Sequence, residues 1–155
     1  IKGDNFMNLY LNRDADEDIN SIWYIDHQNV GDKALFQVMA VCEEGDKICV
    51  FANSNKTYTV EQVAEFLNII NKGVKLEFIY SKQKQQSSRN YLDMLIATHI
   101  GKDTLINKNF MKYNILSNDK DFNSLKDYGL NEGYDIEILN WDNTNGIHLK
   151  FEDIQ

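Results

Sequence analysis

Short, almost wholly apolar runs alternate with helix-period stripes along most of this chain, and that alternation leaves few folds open. Ile22-Trp23-Tyr24-Ile25 and Lys47 to Ala52 are rich in β-branched and aromatic residues, as strands covered on both faces are. Val74 to Tyr80, Tyr113 to Leu116 and Asp135 to Leu139 read as three more strands. Between them lie helical patterns. Ala34, Leu35, Val38, Met39 and Cys42 form one stripe, and Thr59 N-caps a second helix with Val60, Val63, Phe66, Leu67 and Ile70 on its inner face. Tyr91, Leu92, Leu95, Ile96 and His99 line a third helix that ends at Gly101, with a short helical piece from Asp103 to Phe110. Phe122 to Tyr128 reads as a last helix, stopped by Gly129. The order predicts an α/β fold in three layers, α/β/α, around a mostly parallel five-stranded sheet with right-handed crossovers.

At 155 residues the chain fits one domain, expected over residues 21–140. Residues 1–20 read as an extension, of which 1–6 are non-native if Met7 is the natural start. Residues 141–155, with Ile147, Leu149 and Phe151 alternating, form either an edge strand or a loosely packed tail. No apolar run approaches the ~18–20 residues of a membrane span and the N-terminus lacks a secretory pattern, so a soluble, cytoplasmic protein is expected. Cys42 and Cys49, with no second Cys/His pair, read as buried free thiols. A net charge of −8 argues against a protein that coats nucleic acid, but not against a nuclease, whose metal ions offset its carboxylates locally. Lys82, Lys84 and Arg89, in a polar stretch before Asn90, offer a basic flank for one strand, with Lys120 beside the later acids; the same stretch also reads as a solvated loop.

Three segments place acids and small polar residues where a strand should run into a loop or helix: Asp26 after strand one, Asn90 and Asp93 early in a helix, and Ser117, Asn118, Asp119 and Asp121 after strand four. Apolar strands need no acid at their ends, whereas Mg2+ or Mn2+ takes several oxygen ligands converging from separate segments. In an open parallel sheet these ends meet at the topological switch point if strands one and four are neighbours. Each segment alone has a plainer reading: Asp26 as a turn residue, Asn90 and Asp93 as an N-cap with its partner, and Ser117 to Asp121 as a cap before Phe122. Asn29 either orients Asp26 or closes an Asx turn. His27, His99 and His148 share no ligand spacing. Tyr58 and Tyr91 are candidates for stacking a base, while Trp23, Tyr24, Phe51 and Phe78 belong to the core.

Read together, Tyr24-Ile25-Asp26-His27-Gln28-Asn29-Val30, Asn90 to Gly101 and Ile115-Leu116-Ser117-Asn118-Asp119-Lys120-Asp121-Phe122 resemble the PIN-like and NYN nuclease families, above all small bacterial PIN-like proteins. The likeness spans Ile22 to Leu139. It implies a PIN-like fold and metal-dependent cleavage of RNA, or of single-stranded DNA, by a single-strand-specific endoribonuclease using Mg2+ or Mn2+. By position, Asp26, Asp93, Asp119 and Asp121 match the metal-binding and catalytic acids, and Asn29, Asn90 and Ser117 their polar supports. Gln28 stands where the first motif commonly carries glutamate, and Glu61 aligns loosely with a fifth acid. The resemblance also allows a homodimer or a protein inhibitor as partner. The competing reading is a binding module for nucleic acid or protein whose acidic site does not catalyse. A phospho-acceptor receiver domain is disfavoured because strand one ends in a single acid and strand three in Tyr80. A nucleotide-cofactor enzyme is disfavoured because the residues after strand one offer only Gly31.

Overall fold

The computed structural model describes residues 20–53, 55–81, 89–106 and 112–149, without the side chains of residues 89, 90 and 149. The elements are β1 (Ser21–Asp26), α1 (His27–Val30), α2 (Asp32–Val41), β2 (Lys47–Asn53), α3 (Val60–Asn71), β3 (Lys75–Ser81), α4 (Arg89–Ile106), β4 (Lys112–Leu116), a 3-10 turn (Lys120–Phe122), α5 (Asn123–Glu132), β5 (Asp135–Asp142) and β6 (Gly146–Leu149). They form one six-stranded sheet in the order β3-β2-β1-β4-β5-β6. The first five strands are parallel, and β6 pairs antiparallel with β5. The sheet therefore has one strand more than the five expected, because the start of the tail turns back onto β5. Lys82, Lys84, residues 1–19 and 150–155, and the end of the Asp103 to Phe110 piece lie outside the described residues.

Alternation along the strands divides the core into two layers. Ile22 and Tyr24 of β1, Cys49 and Phe51 of β2, Tyr113 and Ile115 of β4, and Ile136 and Ile138 of β5 pack against Leu92, Ile96 and Ile100 of α4, with Leu125 and Tyr128 of α5 beside them. Their neighbours Ile25, Ile48, Val50, Leu116 and Leu139 face the other way, toward Ala34, Leu35 and Val38 of α2 and Phe66 and Ile69 of α3. The chain winds outward from β1 to β3 with its helices on one face, then returns across the sheet to β4 with α4 on the other. Right-handed crossovers require that change of face where the winding reverses. The reversal leaves β1 beside β4, Ile25 level with Leu116, and opens a crevice beyond their carboxyl ends.

Three helices differ from the sequence expectation. α4 runs through Gly101 to Ile106, so the expected break and separate helical piece are one helix. α5 likewise passes Gly129 and stops at Gly133, whose positive φ of 81° lets Tyr134 N–H donate to Gly129 O at 2.8 Å. Gly129 is needed for closeness instead: a Cβ there would lie 2.8 Å from Tyr134 O and 3.1 Å from Ile136. α3 does start at Thr59 with a reciprocal capping box to Gln62. Its inner face, however, is Phe66 and Ile69, while Val60, Val63, Leu67 and Ile70 are exposed. Aromatic packing sets this rotation, since Phe66 stacks on Phe36 at 5.8 Å and meets Phe78 and Tyr58 at 5.1 and 5.0 Å.

Candidate metal centre

Asp26 is the last residue of β1, buried, where the strand passes into the single turn of α1. Across the β1–β4 seam, Ser117 Oγ donates to Asp26 Oδ2 at 2.8 Å and accepts Asp119 N–H at 3.1 Å. One hydroxyl thus fixes the two strand ends relative to each other. Asp119, also buried, accepts Asp121 N–H at 3.0 Å and so caps the 3-10 turn. Capping and cluster membership coincide here: the same turn that Asp119 caps carries Asp121 to the crevice. Asp93 arrives from the first turns of α4, and one carboxylate oxygen from each of Asp93, Asp119 and Asp121 lies within 4.8 Å of the others.

Asp26, Gln28, Asn29, Asp93 and Asp119 line an open cleft of about 380 Å3. Burial, then the hydrogen bond to Asp119 and the charges of Asp119, Asp26 and Asp121, push the Asp93 carboxyl from 3.8 up to about 7. Each of these three acids disfavours its ionisation. A donor set of hard oxygens whose member resists ionisation among other acids fits a divalent cation, which would relieve that repulsion. Asp93, Asp119 and Asp121 could hold such an ion, with Asp26 lining the same cleft.

The remaining sequence candidates divide. Asn29 Oδ1 accepts Asn118 N–H at 2.9 Å, so it ties α1 to the β4 end and does not close a local Asx turn. Asn90 lies inside α4, not at an N-cap, and its side chain and that of Arg89 are outside the described residues. Lys120 is exposed between Asp119 and Asp121. Glu61 is exposed in the first turn of α3 and neither lines the cleft nor joins the carboxylate group. The Tyr58 ring is engaged by Phe66 and Phe78, with Lys56 Nζ 5.1 Å from its centre, so the expected stacking platform is part of an aromatic cluster.

Two contributions escaped the sequence reading. Asn118 donates from Nδ2 to Trp141 O at 2.9 Å and accepts Trp141 N–H at 2.8 Å, extending β4–β5 pairing past the strand end. His27 is buried with its Nε2 2.6 Å from Asp32 Oδ1, and Lys56 and Gln62 reach Asp32 Oδ2 at 3.0 and 3.4 Å. Burial works to raise the Asp32 pKa, but the hydrogen bonds from Lys56 and His27 outweigh it and hold it low. This group fastens the β2–α3 loop to the start of α2. Lys56 and Gln62 are 24 and 30 residues from Asp32 in the chain, and no local motif announces them.

A three-layer sheet domain whose acids converge over the β1/β4 switch point defines a class of acidic-site α/β proteins. The PIN domain family matches residues 20–139, and the chain belongs to that family. Its members are generally metal-dependent nucleases that bind divalent ions through acidic residues. No curated protein sequence matches the chain. Among solved structures, Enterococcus italicus Csm6 bound to cyclic hexa-2'-fluoro-hexa-dAMP is similar in fold, with a TM-score of 0.52 and 10% identity over 84% of this chain. The chain spans 35% of that protein's length. Among the described residues, no helix is long and apolar enough to cross a membrane.

Proposed function

We propose that this domain hydrolyses phosphodiester bonds of single-stranded RNA as an Mg2+- or Mn2+-dependent endoribonuclease. The convergence of Asp93, Asp119 and Asp121 within 4.8 Å, on a cleft also lined by Asp26, is the observation that supports this reading most. A bound divalent ion would supply an activated water and neutralise charge on the phosphate. The chain's own residues do the placing. Ser117 holds Asp26 and the Asp119 backbone, Asn29 and Asn118 keep α1 and the β4 end in register, and Asp119 anchors the turn that carries Asp121. The cleft is open, so a single strand can reach the acids. Lys120, with Lys82, Lys84 and Arg89 from the sequence, is assigned to drawing phosphates toward it. Gln28, on the cleft wall, offers an uncharged amide where the family commonly has an acid.

The test is cleavage of end-labelled single-stranded RNA and DNA with Mg2+, with Mn2+ and with EDTA, beside Asp26→Asn and Asp119→Asn. Metal-dependent internal cutting of RNA that disappears in both variants is expected. A folded parent that cuts nothing, or variants that cut as well as the parent, would overturn the reading and leave a binding module.

A further inference from the structure

The single turn α1 lines the cleft with Gln28 and Asn29, yet it has little of its own to hold it there. A helix of four residues is far below the length that is stable by itself, and its N-terminus receives no side-chain cap. Val30 anchors it in the core, while Asn29 Oδ1 accepts Asn118 N–H at 2.9 Å and His27 Nε2 lies 2.6 Å from Asp32 Oδ1. We propose that Asp32 is a positioning residue of the cleft, acting through His27 to hold α1 where Gln28 and Asn29 meet the substrate.

Asp32 can serve as an anchor because it is itself restrained. Gln62 Oε1 accepts Thr59 N–H at 2.9 Å in the capping box, which turns its Nε2 toward Asp32 Oδ2, 3.4 Å away. Lys56 Nζ reaches the same oxygen at 3.0 Å and lies 5.1 Å from the centre of the Tyr58 ring, which meets the His27 ring edge-on at 6.3 Å. These partners keep Asp32 a carboxylate, which only accepts, so Nε2 carries the proton of the bond to Oδ1. His27 is buried, and a buried donor without its acceptor is costly, so the bond fixes the ring and with it the turn that carries Gln28 and Asn29. The three carboxylates that converge to hold an ion come from α4, the 3-10 turn and its cap, and none lies on α1. Loss of Asp32 should therefore displace the Gln28 and Asn29 wall and leave those three acids in place. Ser117, which bonds Asp26 and the Asp119 backbone, acts on the other part of the site.

The role toward substrate rests on the nuclease reading, whereas the placement of α1 is measured without substrate. Amide hydrogen exchange by NMR on the full chain in EDTA reads the Asn118 N–H, whose acceptor is the Asn29 side chain. In Asp32→Ala it should exchange ~10-fold faster, approaching Asn29→Ala, while the core amides of Ile25 and Val50 hold their rates. Asp32→Asn, whose Oδ1 still accepts from His27 Nε2, should stay near the parent. In cleavage of single-stranded RNA, Asp32→Ala should lower kcat/KM about 10- to 100-fold, as misplaced contacts do, with Mn2+ affinity unchanged by calorimetry. Asn118 protection that is equal in parent and Asp32→Ala, or that is lost together with the core amides, would overturn the proposal. A Mn2+ affinity that falls along with cutting would place the effect on the ion and overturn it too. Asp32→Asn behaving as Asp32→Ala would overturn the route through His27. If protection falls as expected in a chain whose parent cuts nothing, the nuclease reading fails and the anchoring of α1 by Asp32 stands.

Discussion

Helix α4 bears two aspartates ten residues apart, Asp93 and Asp103, and they have opposite surroundings. Asp103 is 2% exposed, yet Tyr24 donates its hydroxyl to it at 2.7 Å and Lys102 Nζ lies 3.7 Å away. Burial raises its pKa, while every other influence on it, led by the Tyr24 hydrogen bond, favours the ionised form. Asp93 is more exposed, yet burial and three acids all push its pKa up. Burial alone therefore does not mark a functional acid. What distinguishes the two, among the described residues, is whether a donor stands beside the acid: Tyr24 does for Asp103, while Asp93 has more acid beside it, compensation that a ligand could supply.

The largest effect that could break this contrast is on cleavage. Asp119→Asn keeps the cap acceptor for Asp121 N–H and removes a cluster charge, so RNA cutting should fall to background while Tm in EDTA holds or rises. Asp103→Asn should leave cutting intact once the fraction folded is accounted for. If Asp103→Asn abolished cutting and Asp119→Asn did not, the contrast would be inverted. Ser117→Ala is the next step down. It removes the hydroxyl between Asp26 and Asp119 N–H, and by analogy with residues that orient a ligand it should lower Mn2+ affinity ~10- to 100-fold, read by calorimetry.

The two acids were not equally legible in the sequence. Asp26, Asp93, Asp119 and Asp121 could be read as a set because strand ends are visible in an apolar pattern, and the alternation of elements implies that parallel strand ends share one edge. Asp103 was hidden by Gly101, which resembles a helix stop. Once α4 is seen to continue, Asp103 follows Leu92, Ile96 and Ile100 on the inner face, but its partner Tyr24 is 79 residues away and no spacing reveals it. The α3 stripe failed for a related reason. A period of 3.6 shows that a face is apolar and is silent on what covers it. With six large apolar residues to arrange, the packing of Phe66 on Phe36 and Phe78 decided the rotation.

Asp103→Ala sharpens the comparison from the side of stability. It strands the Tyr24 hydroxyl, which is wholly buried, and should cost roughly 1–3 kcal/mol in urea unfolding. Tyr24→Phe in the same chain should return part of that loss, because two apolar partners leave no unsatisfied donor. A double-mutant cycle with no coupling would mean that the pair does not hold the layer together.

The smallest effect is a pH dependence that separates the acids by their response to metal. The folded state binds the Asp93 proton more tightly than the unfolded chain does. Its contribution to stability is fully present below pH 3.8 and is lost as the pH rises through about 7. In EDTA, then, Tm should fall by a few degrees between pH 4 and pH 8, and Asp93→Asn should flatten that slope. Mn2+ competes with the proton, so saturating metal should remove the Asp93 part of the decline and leave the part due to Asp103, whose pKa is also raised. Thermal melts of parent and Asp93→Asn across this range, with and without Mn2+, give the two parts directly. A slope that neither metal nor Asp93→Asn alters would place the titration elsewhere and remove the electrostatic reason for expecting a cation at this edge of the sheet.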